Sequence, residues 1–230
     1  MPEPTSQLFR TVRIARASGD IVSQIKASIF EGKLGPGDRL PAERELTEQF
    51  GVSRITVRDA MRVLESQGLV EIKVGAGGGA FIAAPSAEPI TQVLTDMLRL
   101  QGISIRELVE ARLVIETAIV TLAAERATPD DLRAMQEAIA EARAARAAGN
   151  QRFTPHSINF HIALAQAAKN QVLFFTVNSF RTPFYETLDK LAPDDSMGQR
   201  AIEDHQKLLD AITVHDAKRA REVMREHLAY

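Results

Sequence analysis

The 230-residue chain contains no cysteine and no tryptophan, and only 5% of its residues are aromatic. Without thiols it can hold neither disulfides nor a thiolate-bound metal, so any metal site must be built from histidine and carboxylate. No stretch approaches the roughly 20 apolar residues of a membrane span. The opening MPEPTSQLFRTVR lacks the apolar run of a secretory signal. A soluble, cytoplasmic protein is expected. An excess of positive charge is missing too: the formal net charge is −2, and residues 1–84 carry 11 Lys+Arg against 10 Asp+Glu, a net of +1. A sequence-independent architectural DNA binder would be far more basic, so any DNA role must rest on where the basic side chains sit.

What is present points to two mainly helical domains. Hydrophobic residues make up 45% of the chain, and the second half is dominated by alanine, leucine and long charged residues, which lose little rotamer freedom in a helix. Residues 1–18 read as a loose arm with Arg10, Arg13 and Arg16. Ile21, Ile25 and Ile29 share one face of a helix over about 20–31, and Gly32, Gly35, Pro36 and Gly37 break it. A short helix after Pro41 stops at Gly51. Ser53 is placed to cap a third helix whose inner face is Val57, Ala60, Met61 and Leu64. Gly68 ends it, Val70, Ile72 and Val74 alternate as in a strand, and GAGGG leads to a second strand near Phe81 and Ile82. This is the order of a winged helix-turn-helix over residues 1–84.

Residues 85–89 (PSAEP) read as a linker, and residues 90–230 as a bundle of six or seven helices. Ser104-x-x-Glu107 is a capping box, Thr128-Pro129 and Thr154-Pro155 are helix starts, and Gly149 and Asn170 are stops. Pro183 should kink a helix over about 171–190. The last two helices are expected from about 198 to 213 and from 216 to the end.

The third helix carries the recognition chemistry. Arg54, Arg58 and Arg62 recur every four residues away from its apolar face, and Ser53, Arg54, Ile55 and Thr56 form its first turn, which reaches base edges in such motifs. Arginine can pair bidentately with guanine, and hydroxyls can bind bases or phosphates. Arg44 and the wing glycines would flank this surface. Residues 75–80 also match G-x-G-x-x-G/A, but that fingerprint must open a helix, and here it leads into a strand.

In the helical half, His161, His205 and His227 each fall on the apolar side of a different helix, whereas His156 and His215 fall where solvent is expected. Buried imidazoles need partners. Either each is hydrogen-bonded within the core, or all three share a divalent metal such as Zn²⁺, Ni²⁺ or Mn²⁺. Arg112 lies on a stripe with Leu108, Ile115 and Ile119, where a charge must be paired. It is either a salt-bridge partner of Glu116 at i+4 or the receptor of an anionic effector.

The run LPAERELTEQFGVSRITVRDAMRVLESQGLVEIKVGAGG, residues 40–78, resembles the DNA-binding domain of the GntR family. RELVEARLVIE (106–116), NFHIALAQAAKN (159–170), EDHQKLLDAI (203–212) and REVMREHL (221–228) resemble the FadR-type, or FCD, effector domain of the same regulators. The resemblance implies DNA contacts from Arg44, Ser53, Arg54, Thr56, Arg58 and Gly75, with Ile55 standing where some relatives have a polar contact. It implies a divalent metal, Zn²⁺ ahead of Ni²⁺ or Mn²⁺, on His161, His205 and His227. The carboxylate that metal-binding relatives carry four residues before the first histidine is replaced by Ser157. A three-histidine site completed by water or an effector carboxylate, and loss of the metal, both remain open. Arg112 would then recognise a small carboxylate effector. The expected function is a homodimeric, ligand-responsive transcription regulator, a repressor on a short palindromic operator. The alternative, a metal-dependent enzyme fused to a DNA-binding domain, lacks a base beside the ligands such as H-E-x-x-H supplies.

Overall fold

A computed structural model describes residues 16–148, 154–190 and 195–229. The arm arginines Arg10 and Arg13 and the stop at Gly149 lie outside them. The chain divides into two compact units, Met1–Ser86 and Ala87–Tyr230.

The first unit runs α1 (Arg16–Phe30), α2 (Glu43–Phe50), α3 (Arg54–Ser66), β1 (Val70–Lys73) and β2 (Gly79–Ile82). Gly51, at φ +66°, closes α2 by donating its N–H to Thr47 O, a left-handed position that costs glycine nothing. Two residues later the Ser53 hydroxyl accepts from Thr56 N and starts α3. These two caps set the turn between the helices. Ile21, Ile25, Leu46, Val57, Leu64, Val70 and Ile82 then meet in one core, each worth roughly 1.5–3 kcal/mol of burial. The strands pair antiparallel from Val70↔Ile82 to Lys73↔Gly79, and Arg39 adds a bridge to Phe81. The glycine run therefore ends in a strand of a wing, with no helix N-terminus to receive a phosphate.

The second unit is all helical: α4 (Glu88–Gln101), α5 (Ile105–Arg126), α6 (Pro129–Ala147), α7 (Thr154–Ala167), α8 (Gln171–Ser179), α9 (Arg181–Lys190), α10 (Asp195–Thr213) and α11 (Ala217–Leu228). The expected single helix with a kink is two helices, α8 and α9, which makes eight among the described residues. Pro183 accounts for the break. It has no N–H for the Ser179 carbonyl and its ring would strike that carbonyl, so α8 ends at Ser179 and Pro183 falls in the first turn of α9, where no N–H is required.

Side-chain caps open α5 (Ser104 with Glu107), α6 (Thr128 with Asp131), α8 (Asn170) and α11 (Asp216). Helices α5, α6, α7, α10 and α11 enclose a core that includes Ile119, Met135, Phe160, Leu164, Leu208 and Met224. Helix α4 packs on α8 and α9 through a face that buries Thr91 and Thr95, and leaves Ile90, Val93, Met97 and Leu100 exposed. No described helix is long and apolar enough to cross a membrane.

Candidate nucleic-acid interface and candidate metal centre

On the winged helix the predicted contact residues Arg44, Ser53, Arg54, Arg58 and Gly75 stand in solvent, and Thr56 is half-buried. Arg54 is exposed at the start of α3, and beside it Ile55 is 72% exposed, an apolar tip on an otherwise polar turn. The other basic groups are held by acids: Arg58 Nε lies 2.7 Å from Glu43 Oε2 and Arg44 Nε 3.1 Å from Glu48 Oε1. Ser53 and Thr56 hydroxyls are 2.9 Å apart. Gly75, at φ +100°, lies in the wing turn with open space around it.

Local pattern did not reveal what fixes that wing. A Cβ on Gly78 would meet Lys73 O at 2.4 Å, so only glycine closes the turn. Arg39 Nη2 donates to Gly78 O at 2.6 Å, and the Arg39 and Lys73 cations lie 5.8 and 5.1 Å from the centre of the Phe81 ring. Arg39 anchors the wing from 39 positions away in sequence, a distance at which periodicity carries no signal.

In the bundle the three predicted histidines converge. His161 on α7, His205 on α10 and His227 on α11 place a ring nitrogen each within 4.8 Å of one another. His161 Nε2 is 3.2 Å from His227 Nε2 and 3.3 Å from His205 Nε2. The positions are held by packing: Phe160 is fully buried and stacks on the His205 ring at 4.1 Å between centres and 12° between planes. Burial pushes His161 down to about 4 and His205 well below its ordinary value, so both are neutral with a lone pair to offer near pH 7.

Two carboxylates, neither predicted as part of this site, stand behind the ring of histidines. Glu116 on α5 is 1% exposed. One oxygen accepts from Arg112 Nε–H and the other meets His161 Nδ1. Burial alone would lift its carboxyl, but Arg112 and His161 outweigh that and hold it down to about 2. Asp204 Oδ2 is 3.7 Å from His227 Nδ1. Burial would raise this carboxyl too; His227 and Lys207 bring it to about 2. A clue lay in the pairing of Asp204 with His205 in sequence, but the carboxylate serves a different histidine.

The donor set fits a divalent metal. Nitrogens about 2.0–2.1 Å from a tetrahedral Zn²⁺ stand about 3.3–3.4 Å apart, close to the separations of His161 Nε2 from the other two, and outer carboxylates commonly orient such imidazoles. Ser157 lies one turn before His161 and brings no carboxylate. His156 is half-buried, with Nδ1 3.7 Å from Glu141, and the exposed His215 donates from Nδ1 to Ala124 O at 2.7 Å; neither joins the cluster. Next to His161 is a cavity lined by Leu108, Arg112, Ile115, Phe180 and Phe184 among others. Arg112 lies over the Phe184 ring at 3.9 Å.

A winged helix with an exposed arginine-bearing helix, joined to an all-helical bundle, is the make-up of a two-domain DNA-binding regulator. Residues 17–81 match the bacterial regulatory proteins of the gntR family, and residues 107–230 match the FCD domain. The HTH-type transcriptional regulator LutR of Bacillus subtilis is 32% identical over 87% of this chain and 92% of its own length. The Uxu operon regulator of Haemophilus influenzae is 32% identical over 89% of this chain and 76% of its own. A solved Streptococcus agalactiae GntR structure is 25% identical and superposes with a TM-score of 0.70 over 92% of this chain and 97% of that one. The chain belongs to the gntR family of bacterial regulatory proteins, with an FCD domain as its helical unit. It is a DNA-binding transcription regulator and not an enzyme.

Proposed function

We propose that this regulator is a homodimeric repressor of the FadR type that binds a short near-palindromic operator and is released by a small carboxylate held beside a metal. The observation that carries this reading is the meeting of three Nε2 atoms next to a largely apolar cavity whose wall includes Arg112. Neutral imidazoles suit Zn²⁺, with Ni²⁺ and Mn²⁺ as alternatives. His161, His205 and His227 would hold the ion, which would supply a Lewis-acidic point for a carboxylate; Arg112 would orient that carboxylate through its remaining N–H groups. Arg54, Arg58 and Arg44, with Ser53, Thr56 and the Gly75 backbone, would contact operator DNA. The apolar stripe Ile90, Val93, Met97 and Leu100 on α4 supports a contact between copies, and dyad-related recognition helices explain a palindrome. Effector and operator affinities would be linked by one coupling free energy, each ligand changing the other's affinity by the same factor.

The test joins metal analysis to DNA binding. Untagged full-length protein should contain about one equivalent of divalent metal per chain, and Ser157→Asp should hold it more tightly by adding a fourth ligand. A gel shift on DNA upstream of the chain's own gene, with nonspecific competitor, should be reversed by a member of an organic-acid panel only in metal-loaded protein. Protein without metal that takes up none of Zn²⁺, Ni²⁺ or Mn²⁺ would overturn the metal reading.

A further inference from the structure

We propose that Glu116 prepares His161 as a ligand by forcing the imidazole proton onto Nδ1, so that the Nε2 lone pair is turned to the other two histidines; this rests on reading the histidine cluster as a metal centre. The assignment follows from counting protons. Glu116 is sealed from solvent with both oxygens engaged, one by Arg112 Nε–H and the other by His161 Nδ1. Arginine keeps its protons, so the first oxygen must be an acceptor. An ionised carboxylate has no hydrogen to give, so the contact with Nδ1 is satisfied only when that nitrogen donates. A neutral ring with its hydrogen on Nδ1 has a free lone pair on Nε2, the atom 3.2 and 3.3 Å from its two counterparts.

Glu116 is itself held in place. Arg112 grips it four residues along the same helix and lies over Phe184 of α9. Phe184, Arg112, Glu116 and His161 thus form one chain of contacts from the cavity wall to the cluster. Glu116 forms part of the cavity wall, but its hydrogen bond to the cluster is to Nδ1 of His161, on the far side of the ring from the converging Nε2 atoms; toward the metal position it is a positioning residue.

Glu116→Gln tests this with almost no change of shape. Glutamine offers one oxygen and one NH₂ group. Its oxygen must face Arg112 Nε–H, since an NH₂ there would set donor against donor. The NH₂ then faces His161 Nδ1 and is accommodated only if that nitrogen accepts, which moves the ring proton to Nε2 and removes the lone pair. In metal-free, full-length protein, long-range ¹H–¹⁵N correlation of the imidazoles, assigned with His161→Ala, should show the Nδ1–H form of His161 in the wild type and the Nε2–H form in Glu116→Gln. Zn²⁺ affinity, measured by competition with a chelating dye, should fall about 10–100-fold in the variant.

An Nε2–H tautomer in the wild type would overturn the proposal, and this measurement decides the matter even if the variant does not fold. A folded Glu116→Gln protein that binds Zn²⁺ as tightly as the wild type would overturn it while leaving the metal centre intact. A wild type that takes up no Zn²⁺, Ni²⁺ or Mn²⁺ would remove the metal centre and the proposal together.

Discussion

The winged helix and the helical bundle place their polar groups in opposite surroundings. On the winged helix, Arg44, Arg54 and Arg58 stand in water, and the ion pairs of Arg44 and Arg58 are of the exposed kind worth about 0–1 kcal/mol. In the bundle, Glu116, His161 and His205 are at most 2% exposed. Among the described residues, every fully buried polar or charged side chain belongs to residues 87–230. An exposed reading surface can change its residues without endangering its fold. A buried polar cluster cannot, because each of its groups is also part of the core's hydrogen bonding.

The sharpest way to break that contrast is Glu116→Ala. It strips Arg112 and His161 of their shared acceptor inside the bundle, and removal of one partner from a buried pair costs about 3–5 kcal/mol. Urea denaturation of the full chain, followed through the bundle, should show a loss of that size. A loss below about 1 kcal/mol would mean that water reaches the site and that the two units are less different than their burial implies.

Acid should separate them next. His161 is lowered from 6.5 to about 4 and His205 well below 6.5. Between those values the unfolded chain binds protons that the folded bundle refuses. Stability is therefore fully present above pH 6.5 and declines as pH falls toward 4. From pH 7 to 5 His161 alone accounts for about 2 kcal/mol, with His205 adding to it. Hydrogen exchange on metal-free protein should show protection falling across α5, α7 and α10 while α1–α3 change little. Equal weakening of both units would count against the contrast.

The smallest effect on the fold is expected at the reading surface. Arg54→Ala should weaken operator binding by about 1–3 kcal/mol and relax specificity if it reads a base. The unfolding midpoint of the winged helix should stay within about 0.5 kcal/mol of wild type. Measured across a salt titration, unchanged operator affinity would move the reading head elsewhere.

The same contrast explains how much could be read from sequence. Ser53 as a cap, Gly51 as a stop and the stripe Val57, Ala60, Met61, Leu64 are local events of helix geometry, visible within one or two turns. So was the inward direction of His161, His205 and His227, since each shares a stripe with apolar neighbours. Their convergence was implied by the resemblance to the FCD domain and not by periodicity, which gives the buried face of a helix and not the angle at which helices dock. Glu116 shows the limit well. One oxygen serves Arg112 four residues away, as spacing suggests, while the other serves His161, 45 residues away. The stacking of Phe160 on His205 and the grip of Arg39 on the wing belong to the same long-range class. Pro183 announced a disturbance but not its extent, an interruption at the single residue Phe180 between α8 and α9.

The ion pair between Arg58 and Glu43 has a consequence for how the proposed interface discriminates among DNA sequences. A free arginine that meets a phosphate displaces condensed counterions, and that release drives attachment to any duplex whatever its sequence. Arg58 would come to DNA already neutralised by an internal rival. Engaging the duplex exchanges one anion for another and leaves the Glu43 carboxylate facing a polyanion. Indiscriminate attachment therefore gains less from Arg58 than from an unattached cation, and only a duplex that presents a well-placed acceptor compensates for the exchange. If Arg58 contacts DNA as proposed, Glu43 would act as a sieve, lowering the affinity for bulk DNA so that the operator stands out against it.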